Sequence, residues 1–157
     1  MTREQSLDEE SDLLVRSIHM TAVDWNELRY FHIDERTPWG TPAWGNPLKV
    51  NLYLMLQMEA LREYLKKPIR IHCAWELEGH EDNSYHTRDG ICRAVDWSCA
   101  GVDLEELFLA CTKFDFIGIG KYEFWNTPGM HTDVRPRSRL KPRTYWYRDS
   151  TGHYVYY

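Results

Sequence analysis

Ser84-Tyr85-His86-Thr87-Arg88-Asp89-Gly90-Ile91-Cys92-Arg93-Ala94-Val95-Asp96 is the stretch on which the fold is read. Residues 93–97 (RAVDW) alternate as a strand does, so Ala94 and Asp96 share one face and Val95 and Trp97 the other. Asp96 therefore projects from a rigid element. Thirty-five residues beyond it, residues 130–134 alternate again and put His131 and Asp133 on one face. His86, Asp96 and His131 together offer two neutral imidazoles and one carboxylate. A catalytic zinc ion prefers that donor set when one coordination position must stay open for water, so the stretch points to metal-assisted hydrolysis.

On the N-terminal side, residues 69–73 (IRIHC) alternate as a strand, and 76–83 (ELEGHEDN) is a polar loop leading to Ser84. The strand is preceded by the central helix. Asn46-Pro47 supplies a cap and a first-turn proline, Val50, Leu54, Met58, Leu61 and Leu65 fall on one face, and Pro68 ends the helix. Residues 31–45 (FHIDERTPWGTPAWG) form an irregular loop in which Trp39 and Trp44 either line a groove or cover the core. Asp24-Trp25-Asn26-Glu27 has the form of a capping box opening a short helix, and residues 1–20 are acidic and then amphipathic.

On the C-terminal side, residues 103–113 place Leu104, Leu107, Phe108 and Cys111 on one helical face. Residues 116–120 (FIGIG) read as a buried strand with close backbone approach at the glycines, and Asn126-Thr127-Pro128-Gly129 is a turn. An aromatic hairpin around Asp149-Ser150-Thr151-Gly152 closes the chain. Helices mostly precede or interrupt the strands, which predicts an α+β fold: one domain, residues 1–157, with an antiparallel sheet flanked by helices.

With 157 residues, 43% of them hydrophobic, and no linker of biased composition, the chain carries one core. The net charge of −5 conceals an acidic start (Glu4, Asp8, Glu9, Glu10, Asp12) and a basic run (Arg135, Arg137, Arg139, Lys141, Arg143, Arg148). That run reads as a solvated face beside the acidic helix rather than as a nucleic-acid site. No apolar stretch of membrane-spanning length and no secretory signal pattern is present, so synthesis in the cytoplasm without a membrane span is expected, with release at lysis or carriage in a virion. Cys73, Cys92, Cys99 and Cys111 lie singly and read as reduced, buried core residues.

Ser84-Tyr85-His86, Gly90, Ala94-Val95-Asp96, Gly118-Ile119-Gly120 and His131-Thr132-Asp133 stand in the order of a known pattern. In these motifs the chain resembles the zinc D-Ala-D-Ala carboxypeptidases and L-alanyl-D-glutamate endopeptidases of the hedgehog/DD-peptidase fold, particularly their phage and prophage members. The resemblance extends over about residues 25–135. It implies a peptidase-like core at about 21–135, a basic and aromatic extension at 136–157, and a peptidoglycan stem peptide as substrate. It implies zinc held by His86, Asp96 and His131, with Ser84 behind the ligands or facing substrate and Asp133 orienting an imidazole.

Departures from that pattern shape the remaining expectations. Nine residues separate His86 from Asp96 where the family commonly has six, so residues 87–92 must bulge. The acid that stands three residues before the last histidine in the family is Pro128 here. Glu123 is the substitute general base, or equally a solvent-facing acid at a strand end; Glu76, Glu78 and Glu81 follow it as candidates. The family's oxyanion-steadying arginine is absent from residues 73–76, and Arg70 or Arg88 takes its place. His72 leads into the site on its strand, and His80 lies in a loop that closes over substrate; both also read as scaffold. His19, His32 and His153 read as surface or core histidines. The alternative function is a non-catalytic zinc-containing binding or virion module on the same fold.

Overall fold

The alternation that begins at Ala94 produces the strand around which a six-stranded sheet is laid. The computed structural model describes residues 3–78, 84–138 and 142–157, with side chains from residue 9 onward. Helices α1 (Arg3–Val15), α2 (Ala22–Glu27) and α3 (Leu52–Leu65) precede strands β1 (Arg70–Cys73) and β2 (Ala94–Ser98). Helix α4 (Leu104–Cys111) and strands β3 (Gly118–Tyr122), β4 (Gly129–Asp133), β5 (Thr144–Arg148) and β6 (Tyr154–Tyr156) follow. Among the described residues no helix is long and apolar enough to cross a membrane.

The strand order is β1-β2-β4-β3-β5-β6. Strands β1, β2, β4 and β3 are antiparallel neighbours, but β5 runs parallel to β3, so the α+β sheet is mixed and not antiparallel as the sequence predicts. The cause is geometric. Strand β4 ends with Asp133 opposite Gly118, the first residue of β3, and the chain then returns to pair Thr144 with the same Gly118. A short connection that leaves from the starting end of β3 can only lay its next strand along β3 in the same direction. The aromatic C-terminal stretch thereby joins the sheet, and Asp149–Gly152 turns it into β6.

One face of the sheet is the core. Val95, Trp97, Met130 and Ile119 are buried together with Leu54, Met55, Met58 and Leu61 of α3 and Leu107, Ala110 and Cys111 of α4. Each of the valine, leucine, isoleucine and methionine side chains among them contributes about 1.5–3 kcal/mol on burial. The polar atoms here are paired: the Trp97 indole N–H donates to Thr132 Oγ1 at 3.0 Å, and that hydroxyl donates to Met58 Sδ at 3.4 Å.

Two helix starts differ from expectation. Thr21, not Asp24, caps α2, because its hydroxyl accepts the Asp24 N–H while the Asp24 carboxylate accepts the Thr21 N–H. Asn46-Pro47 opens only a single 3-10 turn, and Asn51 caps α3 anew. Backbone bonds decide this: the Cys92 N–H donates to Lys49 O and the Asn51 N–H to Cys92 O, which draws residues 49–51 out of helical geometry. The 31–45 loop is split in use. Trp44 is buried against Trp25 and Phe31, whereas Trp39 is exposed and stands edge-on to His72.

Candidate metal centre

The face of the sheet opposite the helices carries a row of cross-strand neighbours. Cys73 pairs with Asp96, Asp96 with His131, His131 with Gly120, Gly120 with Trp146, and Trp146 with Tyr156. Directly opposed residues project on the same side of a sheet, so this row brings together side chains separated by up to 83 positions (156 − 73). Cys73 reaches the row through a β-bulge: Ile71 pairs with Trp97, yet Cys73, not His72, pairs with Asp96. The extra residue re-aims the thiol toward the carboxylate.

His86 comes from outside the sheet and is held by its backbone. The Ser84 hydroxyl accepts the His86 N–H at 3.2 Å, and the Arg93 N–H donates to Tyr85 O at 2.9 Å. That second bond closes a neck. The extra residues of the motif lie beyond it, in a 3-10 turn at Arg88–Gly90, so they do not move His86 relative to β2.

His86 and His131 address different oxygens of one carboxylate. His86 Nε2 lies 3.4 Å from Asp96 Oδ2, and His131 Nδ1 lies 3.0 Å from Asp96 Oδ1. The second nitrogen of each ring is anchored, His86 Nδ1 on the Ala74 carbonyl at 2.8 Å and His131 Nε2 on Asp133 Oδ2 at 2.8 Å. An N–H directed at each anchor leaves the other nitrogen with its lone pair toward Asp96. Lone pairs on nitrogen and on a carboxylate oxygen repel at such distances unless a proton or a cation lies between them.

The charges follow from this geometry. Burial alone would raise the Asp96 carboxyl, but the two imidazoles together outweigh it and hold the group well below the usual carboxylate range. Burial also opposes charge on His131, yet its hydrogen bonds to Asp133 and Asp96 lift it to about 9. Asp133, fully buried, is kept ionised against that burial by Arg135 and then by His131. Arg135 grips it with Nε at 2.8 Å and Nη2 at 2.6 Å, and the Gly118 N–H adds a third donor at 3.1 Å. Burial raises the Cys73 thiol and lowers His72.

Cys73, His86 and Asp96 are grouped as metal donors would be. The 3.4 and 3.0 Å separations involve different oxygens of Asp96, His86 on Oδ2 and His131 on Oδ1, so among the described residues His131 is not in the group whose donor atoms stand close enough to share one ion. The donor atoms of Cys73, His86 and Asp96 lie within 4.8 Å of one another. Cys73 thus stands beside the site, half-buried, and the expectation that it is a core residue is corrected; Cys92, Cys99 and Cys111 are buried as expected. The sequence hides this because a bulge leaves the local alternation of residues 69–73 intact.

The structure brings His86, Asp96, His131 and Asp133 together, with Ser84 shaping the turn that carries His86. Arg88 does not join them; it is exposed and donates to the Tyr85 hydroxyl at 3.2 Å. Glu123 is also elsewhere, exposed in a cleft of about 510 Å³ with Leu104, Glu105, Lys121 and Tyr147. His80 and Glu81 lie outside the described residues. A second cleft, of about 420 Å³, opens at the donors and is lined by Trp39, His72, Cys73, Glu76, Asp96 and Trp125. His72 stacks on Trp125 with ring centroids 6.3 Å apart and bonds the Ser98 hydroxyl at 2.7 Å. Of the two tryptophans in this cleft, the sequence marks Trp39, through its Pro-Trp-Gly context, and not Trp125.

The described residues of the basic run are engaged within the molecule. Arg135 pairs with Asp133, Arg137 with Asp115 and Asp12, Arg143 with the carbonyls of Thr112 and Phe114, and Arg148 with Gly152 O. Fold and site together define an α+β chain with a histidine–aspartate centre at the mouth of an aromatic cleft. Comparison of the chain with family models, with curated proteins and with solved structures finds no match.

Proposed function

We propose that this chain is a zinc-dependent peptidase that hydrolyses peptidoglycan stem peptides, with the ion held by His86, Asp96 and His131. The observation that carries this reading is the convergence of two anchored imidazoles on the two oxygens of Asp96. Zinc in such a setting lowers the pKa of water to about 7 and polarises an amide carbonyl. The choice of substrate rests on the resemblance of the motifs at 84–96 and 131–133.

Each residue then has a task. Ala74 O and Asp133 hold the tautomers of His86 and His131, and Arg135 keeps Asp133 charged. The walls formed by Trp39 and Trp125 offer flat apolar surfaces on either side of His72 to an extended peptide. Glu76 lines this cleft beside Asp96 and, as the carboxylate not assigned to the ion, takes the role of proton acceptor and donor, since Glu123 stands in the other cleft.

Purified murein incubated with the zinc-loaded chain tests the reading. New amino groups should appear, and should be absent after chelation and with Asp96→Ala. Intact murein under all conditions counts against the peptidase. A second reading, a zinc-containing binding module, is favoured by Pro128 in place of an acid and by the position of Glu123. It predicts murein that is bound in a zinc-dependent way but not cut.

A further inference from the structure

Cys73 stands beside the histidine–aspartate centre, its thiol directed at Glu76. Of the four cysteines, Cys92 and Cys111 are fully buried and Cys99 is 6% exposed, while Cys73 is partly exposed at the floor of the cleft. An unbroken ladder would place His72 opposite Asp96; the bulge in β1 puts Cys73 there instead. Its sulfur belongs to a cluster in which one donor atom each of Cys73, His86 and Asp96 lie within 4.8 Å of one another.

We propose that Cys73 is a further protein donor to the ion held by His86 and Asp96. Its thiolate would take the position that a hydrolase leaves open to water. The inference rests on the metal reading given above. Thiolate, imidazole and carboxylate together are a donor set that zinc accepts readily, and closure by a fourth protein ligand is the mark of a site without bound water.

A route for the proton is present. Sγ donates to Glu76 Oε2 at 3.0 Å. On metal binding the thiol proton would pass to Glu76 and on to solvent, leaving the sulfur lone pair for the ion. Glu76 accepts from the thiol and lines the cleft, so it is placed to receive that proton.

Cobalt(II) titration of the chelator-treated full chain tests the proposal. The unaltered protein should bind one equivalent and develop a sulfur-to-cobalt charge-transfer band in the near ultraviolet. Cys73→Ala and Cys73→Ser should bind cobalt and lose that band. In the unaltered protein, metal should also protect Cys73 from iodoacetamide, read by peptide mass, so a variant that fails to fold does not block the test. Cobalt bound without the band, a band that persists in Cys73→Ala, or undiminished alkylation would overturn the thiolate donor and leave the three-ligand site standing. If neither cobalt nor zinc binds, this proposal and the metal reading both fall.

Discussion

Gly120→Ala should unsettle the site through Trp146. Gly120 lies between His131 and Trp146 in the row that crosses the sheet. A Cβ there would stand 2.4 Å from Cε2 and Nε1 of the indole and 2.8 Å from Cζ2, where ordinary contact begins near 3.4 Å. The ring must retreat by about 1 Å. It is 6% exposed, its N–H donates to the Tyr122 hydroxyl at 3.0 Å, and its centroid is 5.1 Å from that of His131. Overpacking of this kind costs about 1–3 kcal/mol, and weakening the buried hydrogen bond adds about 1 kcal/mol. We expect a total of about 2–4 kcal/mol, which lowers the urea midpoint by about 1–2 M at a slope near 2 kcal/mol/M. In a Trp146→Leu background, where the ring is gone, the same substitution should cost less than about 0.5 kcal/mol. A single variant within about 0.5 kcal/mol of the parent, or an equal cost in both backgrounds, would refute the reasoning.

Two further outcomes follow from the charges. His131 has a folded-state value of about 9 against an ordinary 6.5, so its contribution is complete below 6.5 and lost as pH rises through 9. The metal-free protein should lose about 3 kcal/mol over that window relative to His131→Gln, measured by urea unfolding; parallel pH profiles for the two proteins would contradict this. Asp133→Asn removes the carboxylate that anchors His131 Nε2 and leaves Arg135 without its ionic partner. Zinc affinity, measured by competition with a chelating dye, should fall about 10- to 100-fold, and an unchanged affinity would show that the anchor is idle.

Much of this arrangement can be read in the chain, because the alternation of a strand states which side chains share a face. Asp96, His131 and Asp133 lie where period two puts them, and register then sets Asp96 opposite His131. What escapes such reading is whatever depends on partners distant in sequence. The bulge that turns Cys73 toward Asp96 is a property of the β1–β2 pair and leaves no mark on residues 69–73 alone. The parallel placement of β5 follows from where β4 ends, which no local pattern contains. Glu123 has the spacing of a general base only if the 126–130 turn folds it back; instead it stays exposed beside Lys121 and Tyr147. The Asn46 cap is locally sound and is overridden one turn later by backbone bonds to Cys92.

The central claim is that His86, Asp96 and His131 hold one zinc ion, and metal content per chain tests it most directly. After loading and gel filtration, the unaltered protein should carry about one zinc per chain. His86→Ala, Asp96→Ala and His131→Ala should each lose it, because each removes a donor whose partners are already fixed. His19→Ala and His153→Ala, whose rings contact Gly90 O and the Thr151 hydroxyl, should keep it. Full zinc in any of the first three variants, or none in the unaltered chain, would contradict the account.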